Sequence, residues 1–547
     1  MPATRSARDA VGSSRPAASY RVMIADRMAE DALRPLAAEP AFELVHRTGL
    51  SGPALADALA DIDAVIVRSS TTITREALTR ATRLKVIGRA GVGVDNIDVA
   101  AATERGIAVL NAPSGNTVSA AELTMALLLA LVRSVTAADR SMRSGEWDRN
   151  AFKGSELYGK TLGLVGAGRI GGEVARRAQA FGMDVIAYDP FLSPERAKSL
   201  AIGLASLEDV LGRSDVLSLH VPLTAATAGL IGADRLALMK PTAFIVNAAR
   251  GGVIDESALV EALRERRIAG AALDVFADEP LPADHPLRSL PNVVLTPHLG
   301  AATTEAQENV AREIAEAVRA ALVEADYSRA VNAPAIGGEE MRRLRPLLDL
   351  AERLAVLAAA LQTGGIDEIE IRYAGDDDAA LRPLASAALV GFLNAVLGRG
   401  SSNWVNAAHL VEQRGIEVRR MHSGAHGDYA EYVEVALLGG DQETRLAGAL
   451  LGEGFPRVVR IDEFHVDVVP RGTLLVLRNR DVPGVIGRVG TVLGDAGVNI
   501  AEYHQARVEQ GGEALAAISV DGRVGEDVLG RLRRLRAVRD VRQAVLE

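Results

Sequence analysis

Apolar and polar positions alternate along the first part of the chain in short runs separated by stretches of helix length. RVMIAD (21–26), DAVIVRS (63–69), LKVIGRAG (84–91) and IAVLNAP (107–113) are apolar runs closed by polar residues or glycine. Such runs predict strands, and their alternation with helical segments predicts a parallel sheet with helices packed on it. From about residue 112 the rhythm strengthens through TLGLVG, DVIAYD, VLSLHVP, AFIVNAA, AGAALDV and VVLTPH, ending near residue 297. Strands this uniformly apolar suit a sheet covered on both faces. Residues 303–326 are amphipathic with a helical period, and VNAPAIGG at 331–338 reads as a linker.

Beyond the linker the texture changes. A helical pattern spans Met341 to Leu361, EIEIRYAG reads as a strand, a second helical stretch covers 380–398, and several strands follow up to Pro470. The last segment, 471–547, orders as strand (TLLVLRN), helix (VIGRVGTVLGDAG), a strand pair across EQGG, helix (EDVLGRLRRLR) and strand (VRQAVLE). That βαββαβ order predicts a ferredoxin-like unit. The arginines of 531–542 are interleaved with Leu532, Leu535 and Val538, which reads as a solvated helix face rather than a nucleic-acid patch.

Composition narrows the function classes. At 547 residues the chain has room for three or four domains. Aromatic residues are only 3%, so the core is built from Ala, Val, Leu and Ile. The absence of cysteine removes disulfides, thiolate nucleophiles and Cys-based zinc sites, and suits a reducing compartment. A net charge of −10 disfavours general binding to nucleic acid or anionic membranes, and obliges an enzyme of acidic metabolites to supply local arginines. The most apolar stretch, Leu123 to Val132, is flanked by Glu122 and Arg133. It is too short for a span of about 20 residues and predicts a buried or interface helix. Residues 1–19 lack a hydrophobic signal core and read as a disordered tail, and the protein as cytoplasmic.

Gly166-Ala167-Gly168-Arg169-Ile170-Gly171 places a G-x-G-x-x-G directly after the run TLGLV, and Ile170, Val174, Ala178 and Phe181 follow at helical spacing. This is the context a dinucleotide fingerprint requires: a tight turn, then a helix N-terminus whose free N–H groups face a pyrophosphate. The next strand ends in Asp189, which can accept hydrogen bonds from both adenosine ribose hydroxyls and repel a 2′-phosphate. NAD is therefore expected over NADP.

Three further motifs follow at predicted strand ends: VNAARGG around Arg250, LDVFADEP with Glu279, and LTPHLG around His298. Ligands of open parallel sheets bind outside the carboxyl ends of strands. An imidazole at His298 can take the hydroxyl proton of an alcohol being oxidised. Glu279 can stabilise the imidazolium and orient the ring. Arg250 offers a bidentate fork to a carboxylate.

Together with GRAGVGVDNID (88–98) and NAPSGNTVSAAE (111–122), these motifs resemble the D-isomer-specific 2-hydroxyacid dehydrogenase family over about residues 20–330. The resemblance implies a Rossmann-type nucleotide domain (112–297) inserted into a flavodoxin-like substrate domain (20–111 and 298–330), and an active site of Arg250, Glu279 and His298. It implies NAD contacts from the turn residues Gly166, Gly168, Arg169, Ile170 and Gly171, from Asp189, and from Ala248, Arg250, Asp274, His298 and Gly300. The helix beginning near Glu122 resembles the family's dimerisation element, so a homo-oligomer, a dimer of dimers, is expected. No metal is expected.

Arg68 and Arg89 follow apolar strands of the substrate domain, and paired arginines suit a dianionic phosphate. With Ser69, Asn116, Arg149 and Arg250 they form the expected substrate set. Residues 471–547 resemble an ACT domain, an amino-acid-sensing module. Residues 331–470, including WVNAAHLVEQRGIEV at 404–418, resemble the intervening, allosteric substrate-binding-like domain of the family's long form, here expected as an α+β unit. This combination implies oxidation of 3-phospho-D-glycerate to 3-phosphohydroxypyruvate, the first step of L-serine biosynthesis, with L-serine as effector at Asn479, Asp481 and Asn499. A regulated glyoxylate or hydroxypyruvate reductase is the alternative within the family, and an NAD-sensing transcriptional corepressor is the alternative outside enzymes.

Overall fold

Five parallel strands form the first sheet, in the spatial order Phe42–His46, Tyr20–Ile24, Ala64–Val67, Val86–Arg89 and Ala108–Asn111. Numbered along the chain this is 2-1-3-4-5, the flavodoxin-like order. The computed structural model describes residues 20–424, 429–440, 442–452 and 454–546; the expected N-terminal tail lies outside the described residues. Four of the five strands are the apolar runs of the sequence. The fifth, Phe42–His46, is an edge strand with one half-wetted face, so FELVH carries too little apolar signal to stand out.

The chain leaves this sheet after Asn111 and returns as the helix Thr304–Glu324, whose first turn is capped by Thr303 Oγ1 accepting from Ala306 N at 3.1 Å. Its apolar stripe, Val310, Ile314 and Val318, is buried against the sheet. The approach depends on Gly88, where a Cβ would stand 2.7 Å from Val318 Cγ2.

Between these two passes lie seven parallel strands, ordered Val293–Leu295, Gly270–Leu273, Phe244–Asn247, Val216–Leu219, Thr161–Val165, Asp184–Tyr188 and Gly203–Leu204. The order reverses between Thr161–Val165 and Val216–Leu219, which opens a crevice at their carboxyl ends. The two-residue strand Gly203–Leu204 is again an edge, and its brevity hid it from the sequence pattern. The helix Thr117–Val132 buries Met125, Leu127, Leu128 and Leu131 with this sheet, as its apolar run predicts.

In the C-terminal half, the strand Glu417–Ser423 pairs in parallel with Glu368–Ala374. Tyr432–Gly439, Gln442–Leu451, Phe455–Ile461 and Phe464–Val468 extend that sheet antiparallel. A second antiparallel sheet, ordered Ile500–Arg507, Glu513–Val520, Gly472–Arg480 and Val538–Leu546, carries the helices Val485–Asp495 and Glu526–Arg533. This is the βαββαβ plan expected for 471–547. The helix Gly338–Leu361 lies between the two sheets: Leu354 and Leu357 belong to one core with Val435 and Leu446 of the first and Leu474, Leu515 and Leu546 of the second.

Among the described residues, one helix, Asp378–Leu397, is long and apolar enough to cross a membrane by length and composition, and the helices Thr117–Val132 and Val135–Arg143 pass the same test only as a pair bent by 64°. The apolar surface of Asp378–Leu397 is spent inside that shared core, where Leu384, Ala388, Phe392 and Leu393 are buried. The loop after it reaches back to the first sheet. Asn403 Nδ2 donates to the Gly106 carbonyl at 2.9 Å, and Val405 is buried in that sheet's core.

Candidate active site

The strand Thr161–Val165 ends at Gly166 with φ +89°, a conformation that favours glycine, and a Cβ there would meet the His220 carbonyl oxygen at 2.6 Å. A Cβ on Gly171 would collide with the Gly166 carbonyl, so the helix Arg169–Ala180 can pass this close only at glycine. Gly168 occupies the N-cap and supplies no side-chain acceptor, which leaves the first N–H groups of the helix open to an anion. Asp189 directly follows the next strand, Asp184–Tyr188; its two oxygens accept from Ala167 N and Phe191 N, each at 2.9 Å. Those bonds fix the carboxylate beside the turn and leave lone pairs for ribose hydroxyls. A cavity of about 500 Å3 borders the turn, lined by residues that include Gly168, Arg169, Leu192 and Arg196. Open amides, a glycine turn and a fixed carboxylate together fit NAD.

Below the turn, His220 Nε2 is 2.9 Å from Ser218 Oγ, and burial pushes the imidazole down to about 4. Across the crevice, the buried Asp274 accepts from Thr296 Oγ1 (2.6 Å), Leu299 N (2.7 Å) and Gly300 N (2.9 Å). Burial raises its carboxyl above the ordinary range despite these donors. Ala248 stands half-buried just after the strand Phe244–Asn247, two residues before Arg250.

His298 N donates to the Asp274 carbonyl at 2.9 Å, and His298 adopts φ +56°. A non-glycine residue held in this region by several bonds is a local strain that functional sites concentrate. Its imidazole Nδ1 is 2.7 Å from Glu279 Oε2, and Glu279 Oε1 accepts from Phe276 N at 3.0 Å. The carboxylate is therefore held by backbone and in turn holds the ring, so Nδ1 is occupied and Nε2 is left for substrate. The imidazole is 49% exposed, open enough to meet a ligand.

Arg250 reaches from the seven-stranded sheet to the first one. Its Nε lies 3.3 Å from Asp95 Oδ2, and its Nη1 donates to the Ala249 carbonyl at 2.6 Å. Arg89, at the end of Val86–Arg89, is largely buried, and its Nε has no hydrogen-bond partner among the described residues. Burial and then the charge of Arg250 depress the Arg89 guanidinium, with a further push from Arg68, while Asp95 and Asp26 oppose it. Arg68 sits beside them; its Nη1 donates to the Arg27 carbonyl at 3.2 Å and its carbonyl accepts from Asn96 Nδ2 at 2.7 Å. The structure thus brings Arg68, Arg89 and Arg250 together.

The remaining expected substrate residues divide. Asn116 stands at the start of Thr117–Val132 with a buried Oδ1 that has no partner among the described residues. Ser69 is exposed beside Arg68. Arg149 is exposed beyond the helix Val135–Arg143, and no contact ties it to the arginine cluster among the described residues. The sequence reading missed Asp26, Asp95 and Asn96, which hold the cluster in place. The acidic DNID run inside the quoted glycine motif was the available signal.

At the C-terminal end, Asn479, Asp481, Pro483, Gly487, Arg507 and Gly511 are among the residues around a cavity of about 470 Å3. Asp481 accepts from Arg507 Nη1 at 2.8 Å and Gly511 N at 3.3 Å, and these donors lower its carboxyl below the usual range. Asn479 is buried, with its Oδ1 unpartnered among the described residues. Asn499 does not line this cavity; its Nδ2 donates to Asp521 Oδ2 at 2.8 Å, at the opposite end of Ile500–Arg507.

Comparison with known proteins defines the class first. Residues 125–300 match the family model for the NAD binding domain of D-isomer specific 2-hydroxyacid dehydrogenase, residues 343–462 that of the D-3-phosphoglycerate dehydrogenase intervening domain, and residues 473–537 that of the ACT domain. Among solved structures, the chain resembles the TT0316 protein of Thermus thermophilus at 40% identity and a TM-score of 0.52, covering 57% of this chain and 99% of that one. It also resembles D-lactate dehydrogenase of Aquifex aeolicus complexed with NAD and lactic acid, at 30% identity and a TM-score of 0.51, covering 57% and 98%. Relatives along the whole length are named D-3-phosphoglycerate dehydrogenase. One from Synechocystis is 44% identical over 90% of this chain and 89% of its own, and one from Methanocaldococcus jannaschii is 42% identical over 95% and 99%. The chain belongs to the D-3-phosphoglycerate dehydrogenase family, and it is an NAD-dependent 2-hydroxyacid dehydrogenase.

Proposed function

We propose that this enzyme oxidises 3-phospho-D-glycerate to 3-phosphohydroxypyruvate, the first step of L-serine biosynthesis, and that L-serine inhibits it through the C-terminal cavity. The observation that carries the substrate is the arginine cluster: Arg68, Arg89 and Arg250 converge, and a buried Arg89 Nε has no partner among the described residues. Buried donors of one charge need an anion. A molecule with a carboxylate at one end and a phosphate at the other meets that need better than glyoxylate, which has only the carboxylate. The names of the full-length relatives support the same substrate.

NAD, held at the glycine turn and Asp189, would supply the hydride acceptor for C2. The chain does the rest. Arg250 takes the substrate carboxylate, Arg68 and Arg89 take the phosphate, and His298 Nε2 takes the C2 hydroxyl proton. The imidazolium formed on His298 is stabilised by Glu279, whose oxygen is already 2.7 Å from Nδ1. Asp274 keeps His298 and Gly300 in register with the nucleotide crevice. The exposed Val135, Met142 and Trp147, clustered in sequence after the helix Thr117–Val132, support assembly of at least two copies, and we place the enzyme in the cytoplasm.

The test is NADH formation from 3-phosphoglycerate and from unphosphorylated 2-hydroxy acids, each with and without L-serine. A kcat/KM roughly 100-fold higher for the phosphorylated acid is expected, as for a site whose charged donors would otherwise be left unpaired, with millimolar serine lowering the rate. Equal or better turnover of glyoxylate or hydroxypyruvate in the reverse direction would assign the chain to the reductases instead.

A further inference from the structure

Arg250 is carried by the seven-stranded sheet and bonded there to the Ala249 carbonyl, yet its guanidinium also forms an ion pair with a residue of the other one. Asp95 lies in the loop after the strand Val86–Arg89 and faces Arg250 Nε at 3.3 Å. The two side chains fold over Gly93, where a Cβ would strike both Arg250 Nη2 and Asp95 Oδ2. The next residue, Asn96, donates from Nδ2 to the carbonyls of Arg68 (2.7 Å) and Thr71 (2.6 Å). One short loop therefore fixes the Arg68 backbone through Asn96 and the Arg250 side chain through Asp95. Asp95 is 70% exposed, so it contributes little to the stability of the fold, and its geometry needs another reason.

We propose that Asp95 is a positioning residue of the dehydrogenase reaction, which draws Arg250 across the cleft by its Nε edge so that the outer edge of the guanidinium faces the substrate carboxylate. The proposal rests on Arg250 as the carboxylate-binding group. Arginine binds carboxylates through two parallel N–H bonds, and that fork is useful only when its plane is fixed. Pairing Nε with a carboxylate from the opposite lobe while one N–H of Nη1 bonds the Ala249 carbonyl restrains the plane, and it leaves the end-on edge, Nη2 with the second N–H of Nη1, to face the ligand. The same negative charge offsets the mutual repulsion of Arg89 and Arg250 while the cleft holds no anion. Gly93 lets the pair close: any side chain there would part them.

The test is steady-state kinetics of the full chain with whichever 2-hydroxy acid the wild-type enzyme turns over best, comparing Asp95→Asn, Asp95→Glu, Arg250→Lys and Asp95→Asn/Arg250→Lys. Asp95→Asn should raise KM for the hydroxy acid about tenfold, the size expected from misaligning a substrate clamp. The NAD dissociation constant and the melting temperature should stay at the wild-type values, and Asp95→Glu should recover part of the loss. In the Arg250→Lys background the Asp95 substitution should have little further effect, because the planar fork it aligns is gone. Unchanged KM in Asp95→Asn, or full additivity of the two substitutions, would overturn the proposal. If Arg250→Lys is itself silent while Asp95→Asn is not, the error lies in the carboxylate role of Arg250 and takes this proposal with it.

Discussion

At the scale of single residues, the candidate site has one side of each polar group engaged by another part of the chain, which leaves the other side open. Glu279 lies against His298 Nδ1, Asp95 pairs with Arg250 at its Nε edge, and backbone amides donate to each oxygen of Asp189. Replacing His298 with Ala should lower kcat by about 10²–10⁴-fold, the range for a lost general base, while NAD titrations remain at wild-type affinity. Near-normal turnover would remove His298 from the chemistry. His220 yields a pH prediction. Its folded-state value of about 4 lies below the ordinary value of 6.5, so the folded protein refuses a proton that the unfolded chain accepts. The stability due to a neutral His220 is fully present above pH 6.5 and is lost as pH falls toward 4. The loss is on the order of 3 kcal/mol. Urea midpoints of wild type and His220→Asn should converge across that window, and a difference independent of pH would mean that the imidazole is not kept neutral.

Elements behave according to how many of their faces are covered. The helix Gly338–Leu361 has buried residues facing both C-terminal sheets, so the two units resembling separate domains are built on one hydrophobic core. A ligand at the cavity around Asp481 therefore bears on a sheet that packs directly on that helix. Ligands shift such an element only by their differential affinity for its arrangements, and the effect is reciprocal. Asp481→Ala should abolish inhibition by serine and leave the uninhibited kcat nearly unchanged, as read from rates against serine concentration. Full sensitivity in the variant would place the effector elsewhere.

For the whole molecule, the question is how the two halves communicate. Asn403 and Val405 plug the C-terminal half into the first sheet, beside Gly106 and the helix Val99–Glu104. The junction strand is further tied by Asn332, whose Oδ1 accepts from Val109 N at 2.8 Å and whose Nδ2 donates to Ile107 O at 2.9 Å. Solved relatives that align over nearly their full length match only 57% of this chain, so the two-lobed part stands alone in other proteins. A chain ending after Gly337 should keep NAD-linked turnover within a few-fold and ignore serine. One ending at Tyr327 loses the Asn332 bonds and should be less stable by roughly 1–3 kcal/mol, seen as a lower melting temperature. Serine sensitivity retained by the shorter chain would place regulation in the catalytic half.

Most element types and the cofactor turn were legible along the chain before any folding, while the division of the parallel strands between two lobes came with the family resemblance. Uniform apolar runs, helical spacing and a glycine pattern are local properties that survive without coordinates. The same patterns singled out Arg250, Glu279 and His298, because each follows an apolar strand at the end where ligands gather. The edge strands Phe42–His46 and Gly203–Leu204 were not legible, since a strand covered on one side or only two residues long needs little apolar character. Nor was the single core of the C-terminal half, because a helix buried on two sides and one buried on a single side differ only in what surrounds them. The counter-ions Asp26 and Asp95 were hidden for the same reason. An acidic residue in a loop looks solvated until the fold brings an arginine from 155 positions away to within 3.3 Å of it. Local pattern decides what each segment becomes; which charges meet is decided only when the lobes pack.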